Sequence, residues 1–254
     1  MKFYFTIITV AMLMLSCHAA TRDNSTPQDS VPEPSDTSKN AVTVLELFTS
    51  QGCSSCPSAD KLLEKYSKEK NIIVLAFHVD YWNRLGWKDP YSSPLFTKRQ
   101  YAYASSLHAS VYTPQLVVNG QAEMVGSDSR RIDQAIKKFK PEDKVGSVSI
   151  DSVSYKSNTA VISYTVNGEA ADSKINLAII EKETKTPIRN GENAGLTLSG
   201  RNVVINFKTI NTPQQGVGSV TMDIPEGIAK NKIAIVMYLQ QPDNSITSAI
   251  EHAL

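Results

Sequence analysis

The sequence predicts an α/β domain over residues 41–141 followed by an antiparallel, all-β, sandwich-like domain over residues 145–254. Three observations predict it. The apolar run from Val42 to Phe48 leads through a Gly-containing turn into Cys53-Ser54-Ser55-Cys56-Pro57 and a helical pattern. A second apolar run, residues 71–80, then completes a β-α-β unit, whose economical sheet is parallel. Beyond Pro141 the pattern changes to short alternating stretches separated by turn residues, the mark of antiparallel strands.

Residues 1–20 read as a targeting segment. Lys2 precedes an apolar run from Phe3 to Leu15 that is too short for a mature membrane span. Ser16-Cys17 fits a lipoprotein cleavage site, with Cys17 lipidated to hold the protein on a membrane; a cut after Ala19 or Ala20 is the alternative. Both readings imply export, to a periplasmic or cell-envelope location. Residues 21–40, rich in Ser, Thr, Pro and Asp, bury too little apolar surface to offset ordering entropy and read as a flexible tether. The remainder is long enough for two modest domains, and 41% hydrophobic residues fit a globular chain. A net charge of +1 argues against a nucleic-acid partner.

In the first domain, Val42 to Phe48 is β-branched and apolar, hence a buried strand. Leu62, Leu63 and Tyr66 recur at helical spacing after Ser58. Residues 81–96 hold both tryptophans, two prolines and Gly86, and read as an irregular insertion. A helix over 97–109 follows. Thr113-Pro114 then opens a strand that ends in the hairpin signal Asn119-Gly120, with a return strand over 121–125 and a closing helix over 129–139. In the second domain seven strands are expected over 145–155, 159–166, 174–181, 202–210, 218–224, 232–240 and 245–251. The loop over 188–200, with Gly191-Glu192-Asn193-Ala194-Gly195, is long for a hairpin and is a candidate to lean over the cysteines and select substrate.

The chemistry concentrates at Cys53 and Cys56. They sit where strand becomes helix, and a helix N-terminus offers unpaired N–H donors and about half a positive charge, which favours thiolate over thiol. Cys53, at the exposed mouth of the turn, is the expected nucleophile, and Cys56 the resolving thiol. Zinc needs three or four ligands and the sequence has no second C-x-x-C, so a metal site would recruit His78. A staple across so short a loop restrains the unfolded chain little. His78, Asp80, Tyr81 and Trp82 end the second strand on the edge where ligands gather in open α/β sheets. His78 would either act on Cys53 or pack under the insertion. Trp82 and Trp87 are read as covers for the insertion or, at Trp82, a substrate platform; His108 is read as structural. No cofactor is expected.

The strand ending in Cys53-x-x-Cys56-Pro57, the β-α-β unit and Thr113-Pro114 before a strand and hairpin together resemble the thioredoxin fold. The resemblance implies an α/β thioredoxin-like domain, a cis Pro114 against the dithiol, substrate docking at Thr113 and Pro114, and a buried proton-carrying acid at Glu46. The string from Leu47 to Pro57, with His78-Val79-Asp80-Tyr81-Trp82 and Gly191-Glu192-Asn193-Ala194-Gly195, resembles more narrowly an exported bacterial thioredoxin-like family of unknown function. The expected activity is an exported thiol–disulfide oxidoreductase acting on a protein or small-molecule thiol or disulfide. The alternatives are a copper or zinc carrier using Cys53, Cys56 and His78, and a non-catalytic partner-binding protein.

Overall fold

The computed structural model describes residues 42–140 and 146–254, except 169, 171 and 215. The expected leader, Cys17 and the tether lie outside the described residues. No helix among those described is long and apolar enough to cross a membrane.

The strand β1 (Thr43–Thr49) is buried along its whole length. It pairs in parallel with β2 (Ile72–His78) from Thr43↔Ile72 to Thr49↔His78, so both strands end at one edge. The helix α1 (Pro57–Tyr66) connects them, with Pro57 in the first turn, where its missing N–H costs nothing. After α2 (Pro94–Ser106), β3 (Gln115–Val118) lies antiparallel to β1, β4 (Ala122–Val125) pairs with β3, and α3 (Ser129–Lys138) follows. Alternation along β1 assigns the two faces. Val44 and Phe48 pack with Phe77, Phe96 and Tyr103 on the α2 side. Leu45 and Leu47 pack with Leu63, Tyr66 and Ile132 on the side covered by α1 and α3.

Seven further strands follow: β5 (Ser147–Lys156), β6 (Thr159–Asn167), β7 (Lys174–Pro187), β8 (Thr197–Asn211), β9 (Val217–Asp223), β10 (Ile233–Gln240) and β11 (Ile246–Ala253). They do not form a separate domain, although β5, β6 and β9 pack over β7 and β10, with Ile162, Tyr164 and Val220 in one core with Leu177, Ile179 and Ile235. Four of them extend the first sheet into one eight-stranded mixed sheet, β11-β10-β7-β8-β2-β1-β3-β4, and β5-β6-β9 form a separate three-stranded sheet. This overturns the expected fold class: the chain is mostly β, and the α/β thioredoxin-like domain followed by a β-sandwich does not describe it. The described residues fall within one compact unit.

The reason lies in edges. β2 is buried on both faces and would present a row of unpaired backbone groups beyond β1, a costly exposure for an apolar strand. β8 pairs there, in parallel, at Ala76↔Val203, and Asn202 Nδ2 donates to the Val74 carbonyl over 3.2 Å. Strand pairing across the chain leaves no trace in local periodicity, so the sequence does not show that β7, β8, β10 and β11 continue the sheet of β1 and β2. β7 and β8 also run longer than the sequence implies, to Pro187 and from Thr197, which shortens the loop between them.

A buried polar cluster ties β1 to the later strands. Arg99 of α2 donates to Glu46 from Nε (2.9 Å) and Nη2 (3.0 Å). Tyr238 of β10 donates to Glu46 Oε1 over 2.6 Å, and Tyr103 to Oε2. The guanidinium also lies over the Tyr103 and Phe207 rings, both 4.9 Å away. Removing one partner of a buried ion pair strands the other charge. Arg99→Leu is therefore expected to lower stability by about 3–5 kcal/mol in urea unfolding; a change below about 1 kcal/mol, the usual worth of a surface pair, would contradict this role.

Candidate functional site

β1 delivers the chain to a turn over Ser50-Gln51-Gly52, closed by the Cys53 N–H donating to the Ser50 carbonyl (3.2 Å). Gly52 packs closely on Trp82: a Cβ there would stand 3.2 Å from Trp82 Cβ. Cys53 and Cys56 form a disulfide, with Cα atoms 5.4 Å apart. Cys56 is the N-cap of α1, and its carbonyl accepts from Ala59 N (2.9 Å) and Asp60 N (3.1 Å). The disulfide thus opens a helix.

Cys53 is not exposed. Both cysteines have 0% accessible surface, against the expected open mouth. The β7–β8 loop lies against the backbone of this turn. Asn193, itself buried, donates from Nδ2 to the Gln51 carbonyl (2.9 Å) and the Cys53 carbonyl (3.0 Å). Glu192 Oε2 accepts the Ser54 N–H over 3.0 Å. Gly191, at φ +80°, presses against Trp87, where a Cβ would meet Trp87 Cβ at 3.2 Å. Gln51 Nε2 donates to Thr186 of β7 (3.0 Å), and Trp87 Nε1 donates to Gln51 Oε1 (3.2 Å). The loop that the sequence singled out therefore leans over the cysteine turn.

The Thr113–Pro114 peptide is cis, and Pro114 is buried. Ser55 Oγ lies 3.4 Å from Cys53 Sγ and 3.5 Å from the Thr113 carbonyl, linking the proline segment to the dithiol turn. Trp82 Nε1 donates to Thr113 Oγ1 over 2.8 Å, so the half-buried Trp82 fixes the segment before the cis proline. Thr113, Pro114, Trp82 and both cysteines come together. Glu46 does not join them. It shares the α2 face of β1 with Val44 and Phe48, whereas α1, which carries Cys56, packs on the other face. All its donors are in the Arg99 cluster. His108 ends α2 exposed, at φ +52°, and Asp80 accepts from Thr97 of α2 (2.5 Å).

His78 turns to Asp89 in the insertion, Nδ1 to Oδ2 at 2.7 Å, with both residues buried. The same Asp89 oxygen accepts the Gln51 N–H (2.8 Å), and Oδ1 accepts the Tyr91 N–H (3.0 Å). Burial opposes charge on both, but their mutual attraction prevails: His78 is held above the ordinary imidazole value and Asp89 below the usual carboxylate range. His78 is thus engaged by Asp89, and no group of three His, Cys, Asp or Glu among the described residues is placed to hold a metal ion.

Asp60 was missed by sequence reasoning, although its spacing was visible: it lies four residues after Cys56, on the same helix face, where Cβ atoms approach to about 5–6 Å. Its Oδ2 accepts from Thr49 Oγ1 over 3.2 Å, and no cation touches it. Burial, partly offset by the charge on His78, raises its pKa to about 6. Asp60 also lines a groove of about 960 Å³ between α1 and the β7–β8 hairpin, beside Pro57, Thr184 and Arg201.

These features define a class: a buried strand–turn–helix disulfide with a cis-proline segment beside it and a loop over it. The chain belongs to the family described as protein of unknown function (DUF1223), whose model matches residues 44–240. It is similar to the crystal structure of protein AGR_C_4864 from Agrobacterium tumefaciens, a structural genomics target, at 28% identity over 85% of this chain and 96% of that one, with a TM-score of 0.63. A DUF3823 family protein from Bacteroides ovatus matches at 14% identity over 41% of this chain and 51% of its own, with a TM-score of 0.28, too low to bear on the fold. No protein of curated function matches.

A raised carboxyl pKa is a stability statement. Between about pH 4 and pH 6 the folded state keeps a proton on Asp60 that the unfolded chain loses, so this group's contribution to stability falls as pH rises through that window. Asp60→Asn removes the effect. The variant is expected to gain on the wild type by on the order of 2 kcal/mol at pH 7 relative to pH 4 in urea unfolding; an identical difference at both pH values would contradict the assignment.

Proposed function

We propose that the protein is an exported thiol–disulfide oxidoreductase. One observation carries the reading: the Cys53–Cys56 disulfide at the N-terminus of α1 has the cis Thr113–Pro114 segment beside it, bridged by Ser55. The site, rather than the fold, supports the likeness to thioredoxins. A helix N-terminus favours the thiolate that attack requires. Export is carried by the apolar stretch from Phe3 to Leu15, and outside the cytosol an oxidised dithiol persists.

In the reductive direction, the Cys53 thiolate attacks a substrate disulfide. One Cys53–substrate bond forms and the other substrate sulfur leaves as a thiolate. Cys56, deprotonated, then attacks Cys53; the mixed disulfide breaks, the second substrate thiol leaves, and the protein ends oxidised by two electrons. A thiol reductant restores it, and with an oxidised partner the same steps run backwards. Asp60, one helical turn from Cys56 and open to the groove, takes the Cys56 proton in place of Glu46, whose oxygens are committed to Arg99, Tyr103 and Tyr238. Thr113 and Pro114 present backbone to the substrate chain, positioned by Trp82.

The test is reduction of a disulfide-bonded protein such as insulin, with dithiothreitol as reductant. Cys53→Ser is expected to abolish the catalysed rate. Asp60→Asn is expected to lower kcat by about 10²-fold and to flatten its rise above pH 6. A Cys53→Ser protein as active as the wild type would sink the proposal, and a pH profile unchanged in Asp60→Asn would remove Asp60 from it.

A further inference from the structure

The cover over the disulfide carries a charge. Glu192 is exposed, and its hydrogen bond from Ser54 holds its carboxyl below the usual range, so it is ionised wherever the protein works. The N–H it engages belongs to the residue after Cys53, in the turn whose free donors favour a thiolate. In the disulfide form Cys53 bears no charge and the carboxylate sits there without conflict. On reduction the thiolate and the carboxylate are like charges, and the Ser54 N–H is already taken.

We propose that the loop over 188–196 is a redox-linked cap, and that Glu192 is the positioning residue that sets the acidity of Cys53. The inference rests on the oxidoreductase reading. The docked loop stabilises the disulfide form, and by reciprocity formation of the Cys53 thiolate favours release of the loop. Asn193 supplies the neutral part of the latch, its single side-chain amide bonding both the Gln51 and Cys53 carbonyls. Release is also what the chemistry needs, since neither sulfur has accessible surface under the docked loop. The other charged groups around the turn are Asp60 on α1, His78 on β2 and Asp89 in the insertion. His78 and Asp89 neutralise one another at 2.7 Å, and Asp60 faces Thr49 and the groove. The loop carries two charged residues, Arg189 and Glu192; both are exposed, and Glu192 is the one hydrogen-bonded to the turn, through Ser54 N–H.

Two readings on the purified protein test this: the pH midpoint of Cys53 alkylation in the reduced form, and the equilibrium constant of the Cys53–Cys56 disulfide with glutathione. Glu192→Gln keeps an oxygen acceptor for the Ser54 N–H and removes the charge. It is expected to lower the alkylation midpoint by about half to one pH unit and to favour reduction by roughly 3- to 10-fold, a tenfold change being 29.6 mV for a two-electron couple. Glu192→Ala should shift both the same way, and Asn193→Ala should raise the rate of disulfide reduction by dithiothreitol. Wild-type midpoint and equilibrium constant in both Glu192 variants would overturn the inference and leave the oxidoreductase reading standing. A wild-type disulfide that does not exchange reversibly with glutathione would overturn both.

Discussion

The pairing of β8 against β2 is the constraint on which the rest of the structure depends. It is a short parallel seam, one registered pair at Ala76↔Val203 reinforced by the Asn202 side chain on the Val74 carbonyl. Yet it joins four strands of the second half to the first sheet and fixes where the β7–β8 hairpin ends. Because β1 and β2 finish together at Thr49 and His78, the hairpin tip arrives at the edge where the cysteine turn begins. On the opposite face the Glu46–Arg99 cluster, reaching Tyr238 and Gln240 of β10, locks the same geometry. The seam brings the cap to the disulfide; the cluster keeps the sheet that carries both from shearing.

Three buried or half-buried carboxyls near this edge have separate roles because their partners differ. Glu46 meets a guanidinium and two phenols inside the core. Asp89 meets His78 and two backbone N–H groups, which tie the insertion to the cysteine turn. Asp60 meets only a hydroxyl, in a place where burial disfavours its charge, so its proton is exchangeable in the neutral range. A proton carrier needs that last environment. An ion-paired carboxylate, however deeply buried, does not supply it.

Local features were legible in the sequence. The apolar run before Cys53 and the helical spacing after Cys56 located β1 and α1 to within about two residues. Thr113-Pro114 marked the cis peptide, and the glycines around Glu192 and Asn193 marked the loop that lies on the turn. What failed was non-local. Strand alternation shows which residues face a core but not which edges meet, so the seven strands expected after residue 145 read as a domain of their own, whereas β7, β8, β10 and β11 continue the first sheet. The exposure of Cys53 was read from its turn alone, and the cover comes from about 140 residues later. Glu46 was placed by likeness to thioredoxins, whereas Arg99, the cation that claims it, lies on α2 with nothing in its spacing to announce the pair. Asp60 was within reach of helical geometry and was passed over because the acid was sought on β1.

The most direct test of the account is a trapping measurement on the Cys56→Ser protein, reduced and mixed with an unfolded polypeptide carrying one disulfide, with adducts located by mass spectrometry. The account expects a stable mixed disulfide on Cys53, and at most a slow, minor adduct on Cys56 in the matching Cys53→Ser protein. Equal adducts on the two cysteines, or none on Cys53, would contradict it.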